Sequence, residues 1–255
     1  MFSLPSPPWN RSFRRLESAT RKALFDFSLL EGVSRLAVAV SGGKDSLTLL
    51  SLLHAICGKG TEPFDLIALH VSGNFSCGAG VSEQFLASMC KEKNIPFYST
   101  ALPSDYTPSG CYSCSRIRRK ILFEMAKSHD CKTIAFGHHR DDSIQTLLMN
   151  LCHKGEFSGL LPRITLFKYG VTIIRPLIYL SEKDIISFAK KYGLLRMSCS
   201  CPHGIESYRK KVDKALDHLT SLYPNARKNL SSAALTHGSK KALTPFPHQP
   251  QQIPQ

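Results

Sequence analysis

The chain has 255 residues, 42% of them hydrophobic, and its 33 Lys and Arg outnumber its 19 Asp and Glu. No apolar run approaches the roughly 20 residues that span a bilayer, which excludes a membrane-spanning class. The formal net charge of +14 favours a polyanion, and therefore a nucleic acid, as partner. Prolines stand where a secretory signal needs its apolar segment, so a cytoplasmic protein with reduced cysteines is predicted.

Strand-like and helix-like stretches alternate along the chain. Five short runs of β-branched, aromatic or other apolar residues bounded by turn residues are typical of strands, at 36–40, 65–71, 95–100, 132–137 and 171–177. The stretches between them carry apolar residues at helical spacing, and an amphipathic helix precedes the first strand. This order predicts an α/β fold with a five-stranded parallel sheet and helices on both faces.

The two ends of the chain lack this regular alternation. Ser181 and Asp184 predict the start of a last helix of the main domain, and Gly193 predicts its end. The final residues are rich in Pro, Gln, Ser and Lys and show no periodicity. The predicted parts are a flexible N-terminus at 1–12, a main domain at 13–215, a helical extension at 216–235 and a disordered tail at 236–255.

A glycine-containing turn follows the first predicted strand, in the stretch LAVAVSGGKDSLTLLSLL at 36–53. Its two glycines allow a tight turn, and the helix that follows aims free N–H groups at the turn, which predicts a phosphate site. Asp45 would repel a phosphate unless a divalent cation such as Mg²⁺ lies between them. The candidate nucleotide-binding residues here are Ser41, Gly42, Gly43, Lys44, Asp45 and Ser46, of which Lys44 and Asp45 are also candidate catalytic residues.

A second polar cluster, GHHRDD, follows the fourth predicted strand. In open α/β sheets, ligands gather at the carboxyl ends of the strands, which places Gly137 and His138 among the candidate nucleotide-binding residues. Asp141 is equally compatible with a helix cap and with a functional role. Adjacent histidines on a helix diverge by about 100°, so a zinc site built on His138 and His139 is not expected.

Cysteines and basic residues meet in the stretch CYSCSRIRRKILFEMA. Cys111 and Cys114 have a spacing that lets two thiolates reach one metal ion or cluster, and Cys199 or Cys201 is available as a further ligand. Four cations follow directly, and they are interpreted either as contacts to RNA phosphates or as a solvated helix face. These candidate RNA-binding residues are Arg116, Arg118, Arg119 and Lys120.

Three stretches together carry a family resemblance. SGGKDS after an apolar strand is similar to the pyrophosphate-binding loop of the ATP pyrophosphatases, which activate a carbonyl oxygen by adenylation. CYSCSRIRRKILFEMA, IAFGHHRDDSIQTLLMNL and VTIIRPLIYLSEKDI resemble the tRNA 2-thiocytidine biosynthesis proteins within that group. The resemblance, from about Arg14 to Arg209, implies that the chain is an ATP-dependent tRNA thiolase that replaces the 2-oxygen of an anticodon-loop cytidine by sulfur.

The resemblance also implies cofactors, partners and roles for individual residues. ATP, Mg²⁺ and a [4Fe-4S] cluster are implied, with Asp142 as a catalytic residue. The cluster ligands are Cys111, Cys114 and a third cysteine, and the open iron would hold sulfide. The implied partners are tRNA and a sulfur donor such as a cysteine desulfurase, and a homodimer is also considered.

The third cysteine ligand is where the chain departs from the family pattern. The family usually has two cysteines separated by two residues and a basic residue eight positions on, whereas Cys199 and Cys201 are one residue apart. Counting back eight from Arg209 selects Cys201. The stretch LHVSGNFSCG also departs from the family pattern, in the part of the chain where contacts to the adenosine of ATP are implied. The alternatives are a lysidine synthetase-like enzyme, which needs no cluster, and a non-catalytic RNA-binding module stabilised by zinc.

Overall fold

The computed structural model describes residues 4–73, 83–103, 106, 110–194 and 208–238, and of Cys111 only the backbone. The helices are α1 (Arg11–Asp26), α2 (Lys44–Ile56), α3 (Glu83–Lys91), α4 (Cys111–Ser128), α5 (Arg140–Lys154), α6 (Glu182–Lys191), α7 (Tyr208–Leu222) and α8 (Ala226–His237). The strands are β1 (Arg35–Ala39), β2 (Asp65–Ser72), β3 (Phe97–Ala101), β4 (Thr133–Ala135), β5 (Arg163–Leu166) and β6 (Val171–Ile174).

The strands form one sheet in the order β3-β2-β1-β4-β6-β5. Neighbouring strands are parallel except β5, which pairs antiparallel with β6 at the edge. The α/β class with helices around a mostly parallel sheet is confirmed, but the sheet has six strands and not the predicted five. The missed strand, β5, has only four residues and forms a hairpin with β6 through a turn that ends at Gly170 with φ +63°.

Alternate residues of the central strand face two separate apolar layers. Leu36 and Val38 of β1 pack against the leucines of α2 and against α1 and α6, whereas Ala37 faces the layer that contains α4. Because strand side chains alternate and both faces are covered, β1 is apolar on both sides. The helix α2 is buried along almost its whole length, which fixes its first turn at the carboxyl end of β1.

Aromatic side chains fasten the N-terminal helix to α6. Trp9 and Phe13 pack edge-on against Phe188 with ring centroids 5.6 and 5.1 Å apart, and Trp9 also meets Tyr192 at 6.0 Å. Leu4 and Trp9 are buried in the core. Both residues lie within the stretch 1–12, for which a flexible N-terminus is predicted, so this stretch contributes side chains to the core from Leu4 onward.

The C-terminal helices α7 and α8 pack against α5, where Gln145 Nε2 donates to Asp213 Oδ1 at 2.8 Å. These two helices span the predicted helical extension at 216–235, but α7 begins eight residues before the predicted start, at Tyr208. The boundaries of the main domain and of the tail stay predictions. No helix in the described part of the chain is both long and apolar enough to cross a membrane.

Candidate functional site

The turn after β1 is held in shape by its own serines. Gly42 has φ +86°, a value that favours glycine, and Gly43 is the N-cap of α2 without a side-chain cap. Ser46 Oγ donates to the Gly43 carbonyl at 2.9 Å and lies 3.2 Å from Ser41 Oγ. The turn is therefore rigid, while the first N–H groups of α2 have no intrahelical partner and no capping side chain in front of them.

Lys44 is held over this turn by two carboxylates from different helices. Its Nζ lies 3.1 Å from Asp45 Oδ1 and 2.9 Å from Glu182 Oε1 at the start of α6. Burial opposes the ammonium, but the two carboxylates outweigh it and raise the pKa of Lys44. Burial raises the pKa of Asp45 as well, against the opposing effect of Lys44 and His139. A cation that stays protonated thus stands beside the predicted phosphate site.

The turn after β4 approaches the turn after β1 so closely that residue 137 has no room for a side chain. A Cβ at Gly137 would lie 3.0 Å from the Asp45 carbonyl carbon and 3.0 Å from the Ser46 nitrogen. Because both are backbone atoms, they cannot move aside as a flexible side chain would. The structure thus brings Gly137 and the loop residues together at one edge of the sheet, as the sequence predicts.

His139 lies between two carboxylates at this edge. Its Nε2 is 3.4 Å from Asp142 Oδ2 and 3.8 Å from Asp45 Oδ1, and its backbone N–H donates to Asp142 Oδ2 at 3.0 Å. Asp142 Oδ1 also accepts from Arg209 Nη1 of α7 at 2.9 Å. Burial opposes ionisation of Asp142, but the neighbouring histidines and Arg209 outweigh it and lower the pKa of Asp142. Asp142 is therefore an anion that orders the start of α5 and stays within reach of the loop.

Asp141 links three helices. Its Oδ1 accepts from Arg227 Nη1 of α8 at 2.9 Å, and its Oδ2 accepts from the Glu182 backbone N–H at 2.8 Å. Asp141 was equally compatible with a helix cap and with a functional role. The structure shows a cap, but at the start of α6 and not at the start of its own helix, α5. Glu182 also pairs with Lys44. Asp141 therefore connects α8 to the phosphate site through a single intermediate residue, Glu182.

The start of α4 lies at the same edge of the sheet. Arg118 Nη1 donates to the carbonyl of Val71, near the end of β2, at 2.5 Å, and Cys114 precedes Arg118 by one helical turn. Cys114 is buried. The backbone of Cys111 begins the helix, its side chain is outside the described residues, and so are Cys199 and Cys201. The structure brings the Cys114 end of α4 toward the edge that carries the loop.

The four candidate RNA-binding residues do not share one face of α4. Arg116, Arg119 and Lys120 are exposed, whereas Arg118 points inward to Val71. Lys120 lies 3.8 Å from Glu124, and Arg119 donates from Nε to the Ser115 carbonyl. An RNA contact at these positions stays a prediction, and the exposed members are the ones that a polyanion could reach.

The residues present fit both of the implied inorganic groups, Mg²⁺ at the phosphate loop and a [4Fe-4S] cluster at the start of α4. Asp45 Oδ1 is buried and accepts no hydrogen bond, although the Lys44 ammonium lies 3.1 Å away, and such a carboxylate oxygen suits Mg²⁺ beside phosphate. On α4, positions 111 and 114 lie on one face at the positive end of the helix, where thiolates are favoured. Within the described residues, no three His, Cys, Asp or Glu side chains form a metal-binding group, and two of the three predicted thiolates lie outside them.

Sequence reasoning missed several groups that shape this site. Glu182 shows the pattern of an ordinary acidic residue in a first helical turn, and nothing in the sequence identifies it as the partner of Lys44. The contacts of Arg209 and Arg227 depend on how the C-terminal helices fold back onto α5. His138 was predicted as a nucleotide contact, and it stacks on Phe136 with ring centroids 5.7 Å apart.

The fold and the site together define a nucleotide-binding α/β protein with a phosphate loop between its first strand and the next helix. The family model described as the PP-loop domain matches residues 12–197, and the chain belongs to this family. The chain is 32% identical to a tRNA-cytidine(32) 2-sulfurtransferase of Geobacter metallireducens, over 88% of this chain and 90% of that protein. It is also 32% identical to the protein of the same name from Legionella pneumophila, over 86% and 80%.

A solved structure shows the same fold. It is the U34-tRNA thiolase NcsA from Methanococcus maripaludis with its [4Fe-4S] cluster, with a TM-score of 0.69 and 24% sequence identity. The likeness covers 88% of this chain and 77% of that chain. The sheet and its surrounding helices are therefore common to both proteins.

Proposed function

We propose that this protein is an ATP-dependent tRNA sulfurtransferase that converts an anticodon-loop cytidine, position 32 in the names of its relatives, to 2-thiocytidine. One structural observation carries the proposal. The phosphate loop after β1 and the cysteine-bearing start of α4 lie at one edge of the sheet, because Arg118 joins α4 to the end of β2, the neighbour of β1. Activation by ATP and delivery of sulfur can therefore meet at one base.

The first step makes the cytidine oxygen a leaving group. The 2-oxygen attacks the α-phosphorus of ATP, the bond to the bridging oxygen breaks, and pyrophosphate departs. The backbone N–H groups at 43–46 and the ammonium of Lys44 stabilise the negative charge that develops on pyrophosphate. Asp45 would hold Mg²⁺ against the same phosphates, where the ion supplies further charge neutralisation. Asp142 keeps His139 and the adjoining turn in place.

The second step replaces the activated oxygen by sulfur. A sulfide nucleophile forms the bond to C2, and the carbon–oxygen bond breaks with its electrons leaving on AMP. Cys111, Cys114 and Cys201 would hold a [4Fe-4S] cluster, which would supply an open iron site for the sulfide. The Cys114 side chain is itself shielded from bulk water.

The partners follow from this chemistry. The substrate is tRNA, and the exposed cations Arg116, Arg119 and Lys120 on α4 attract its phosphates. Each turnover consumes one sulfur atom, so a sulfur donor such as a cysteine desulfurase is needed, and the reaction takes place in the cytoplasm with tRNA. A homodimer remains part of the proposal.

The test is a single-turnover reaction with anaerobically prepared protein, unmodified tRNA, ATP and sulfide. Mass spectrometry of the digested tRNA is expected to show 2-thiocytidine, with AMP and pyrophosphate released in equal amounts. Cys114→Ala is expected to abolish 2-thiocytidine and the broad visible absorption of the cluster, and to keep ATP binding, because the loop is built from separate backbone groups.

Two further variants separate the alternatives. Cys201→Ala is expected to match Cys114→Ala, whereas Cys199→Ala is expected to keep the cluster and the activity; the opposite result would move the third ligand to Cys199. Cys152, exposed near the end of α5, is the matched control, and Cys152→Ala should behave as wild type. Stoichiometric zinc without iron would favour the zinc-stabilised RNA-binding module, and a lysine adduct on the cytidine would favour a lysidine synthetase.

A further inference from the structure

Arg175 is a buried cation without an acidic partner at the carboxyl edge of the sheet. It follows β6 directly and is 8% exposed. Its Nη1 donates to the carbonyl of Leu161, while its Nε is buried without any hydrogen-bond partner. No carboxylate in the described part of the chain lies within 4 Å of its guanidinium.

This position is unfavourable for a cation. Buried charges are normally paired, because the lost hydration must be replaced by an opposite charge or by hydrogen bonds. Burial and, to a smaller extent, the neighbouring Arg119 of α4 lower the pKa of Arg175 to about 10, against the opposing effect of Asp142. Asp142, however, already pairs with Arg209 and accepts from His139. The surroundings of Arg175 therefore have a deficit of negative charge.

The location of Arg175 separates it from the phosphate loop. Val38 of β1 is level with Ala135 of β4, which is level with Ile174 of β6, so Arg175 lies at the height of the site. Because β4 stands between β1 and β6, Arg175 faces the site from the side opposite to β1. A ligand group held by Arg175 is thus a different group from the one held by the loop at 41–46.

We propose that Arg175 forms a second phosphate subsite at the end of β6. The unpartnered Nε and the planar guanidinium suit a phosphate oxygen, and the bound anion supplies the negative charge that the buried arginine lacks. The phosphate belongs either to the adenylate part of ATP or to the backbone of the substrate RNA, and the second source rests on the proposed function. A guanidinium here would hold that phosphate near Asp142 and His138.

The test compares Arg175→Gln with Arg163→Gln. Arg163 stands on the paired strand β5, and its Nη1 donates to the Ser28 carbonyl at 2.9 Å, so this control also removes one charge and one bond to the backbone. Equilibrium binding of ATP and of unmodified tRNA is measured for both variants and wild type. Arg175→Gln is expected to raise one of the two dissociation constants about tenfold, while Arg163→Gln changes neither.

Which constant rises identifies the source of the phosphate. Weaker ATP binding assigns the adenylate phosphate; weaker tRNA binding, with a salt dependence shallower by about one unit, assigns the RNA backbone. The ligand-free thermal midpoint of Arg175→Gln should stay level or rise, since no ion pair is lost. Arg175→Lys keeps the charge without the fork and should bind with intermediate affinity, which also serves if the glutamine variant does not fold.

Unchanged dissociation constants for both ATP and tRNA in Arg175→Gln would overturn the subsite. If the thermal midpoint fell at the same time, Arg175 would be a structural support for Leu161. Loss of visible cluster absorption with unchanged ATP and tRNA binding would also overturn it, because the buried charge would then serve the cluster. Absence of 2-thiocytidine in the wild-type reaction would instead contradict the proposed function and leave the ATP measurement valid.

Discussion

Gly43 can accept a methyl group in the free protein, but a bound phosphate would have little room beside it. Its φ of −75° is open to any residue, and a Cβ there would meet only Ser41 Oγ at 3.4 Å. Gly43→Ala should therefore keep the free energy of unfolding within about 1 kcal/mol of wild type. ATP affinity should fall at least about tenfold, because the Cβ occupies the approach to the helix N-terminus. Calorimetry of folding and of ATP binding measures both quantities.

Gly137→Ala is the informative contrast to that variant. Its Cβ would press on backbone atoms of Asp45 and Ser46 at 3.0 Å, so the thermal midpoint and the ATP affinity should fall together. Wild-type ATP affinity in Gly43→Ala would show that the phosphates do not approach this part of the backbone.

His138 makes the stability of the fold depend on pH. Burial and, to a smaller extent, the charge of Arg175 lower the pKa of His138 from 6.5 to about 3, against the opposing effect of Asp142. The unfolded chain therefore binds this proton first as the pH falls below 6.5, and the free energy of unfolding should decline on acidification by up to about 1.4 kcal/mol per pH unit.

The pH effect is measured by urea denaturation between pH 7 and pH 5. His138→Gln should flatten the decline, since the variant has no proton to exclude at this position. The exposed residue His153 on α5 offers the control, and His153→Gln should keep the wild-type slope. Equal slopes in all three proteins would assign the acid sensitivity to other groups.

At the scale of whole helices, Arg227 of α8 carries the contact between the C-terminal extension and the site. Its guanidinium bonds Asp141 and Asp217, each through one nitrogen, and Asp141 is 7% exposed. Arg227→Ala should lower the free energy of unfolding by about 2–4 kcal/mol, because it leaves a buried carboxylate with one fewer partner. Chemical denaturation measures this loss.

A second readout follows from the links of Asp141. Since Asp141 caps α6 at Glu182, and Glu182 pairs with Lys44, Arg227→Ala should also weaken ATP binding. Lys228→Ala is the matched control, because Lys228 is the exposed next residue of the same helix and should cost less than about 0.5 kcal/mol. If Arg227→Ala is destabilised but binds ATP with wild-type affinity, α8 supports the fold and does not influence the ATP site.

The sequence predicted those elements whose signals are local. The start of α6 is an example, because the Ser181 side chain accepts from the Asp184 backbone N–H at 3.2 Å, as the capping pattern predicts. The strand β5 was not predicted because its four residues are only partly buried and show no strand pattern of their own. They form a strand by pairing with β6. The loop and the turn at Gly137 were predictable from residue type, whereas the Glu182 and Arg227 contacts depend on long-range packing.

At the scale of the molecule, the charge of +14 predicts a steep salt dependence of tRNA binding. The double variant Arg116→Ala with Arg119→Ala removes two exposed cations of α4, and the slope of log affinity against log salt should become shallower by about two units. Filter binding at several salt concentrations measures the slope.

A charge-matched control distinguishes a local contact from general attraction. Lys190 and Lys191 are exposed at the far end of α6, which begins at the site and runs away from it. Replacing both by alanine removes the same charge and should leave the slope close to wild type. Equal slopes in the two double variants would show that the α4 cations belong to a solvated helix face and do not contact RNA.

The aromatic contacts between the N-terminal segment and α6 give the protein a built-in optical probe. Trp9 is the only tryptophan of the chain, it is 4% exposed, and its Nε1 donates to Glu17. Its emission should be blue-shifted in the native state and should move to longer wavelength when the segment detaches from Phe188 and Tyr192. Excitation at 295 nm thus follows one docking event, and comparison with far-ultraviolet circular dichroism would reveal whether the N-terminal segment separates before the sheet unfolds.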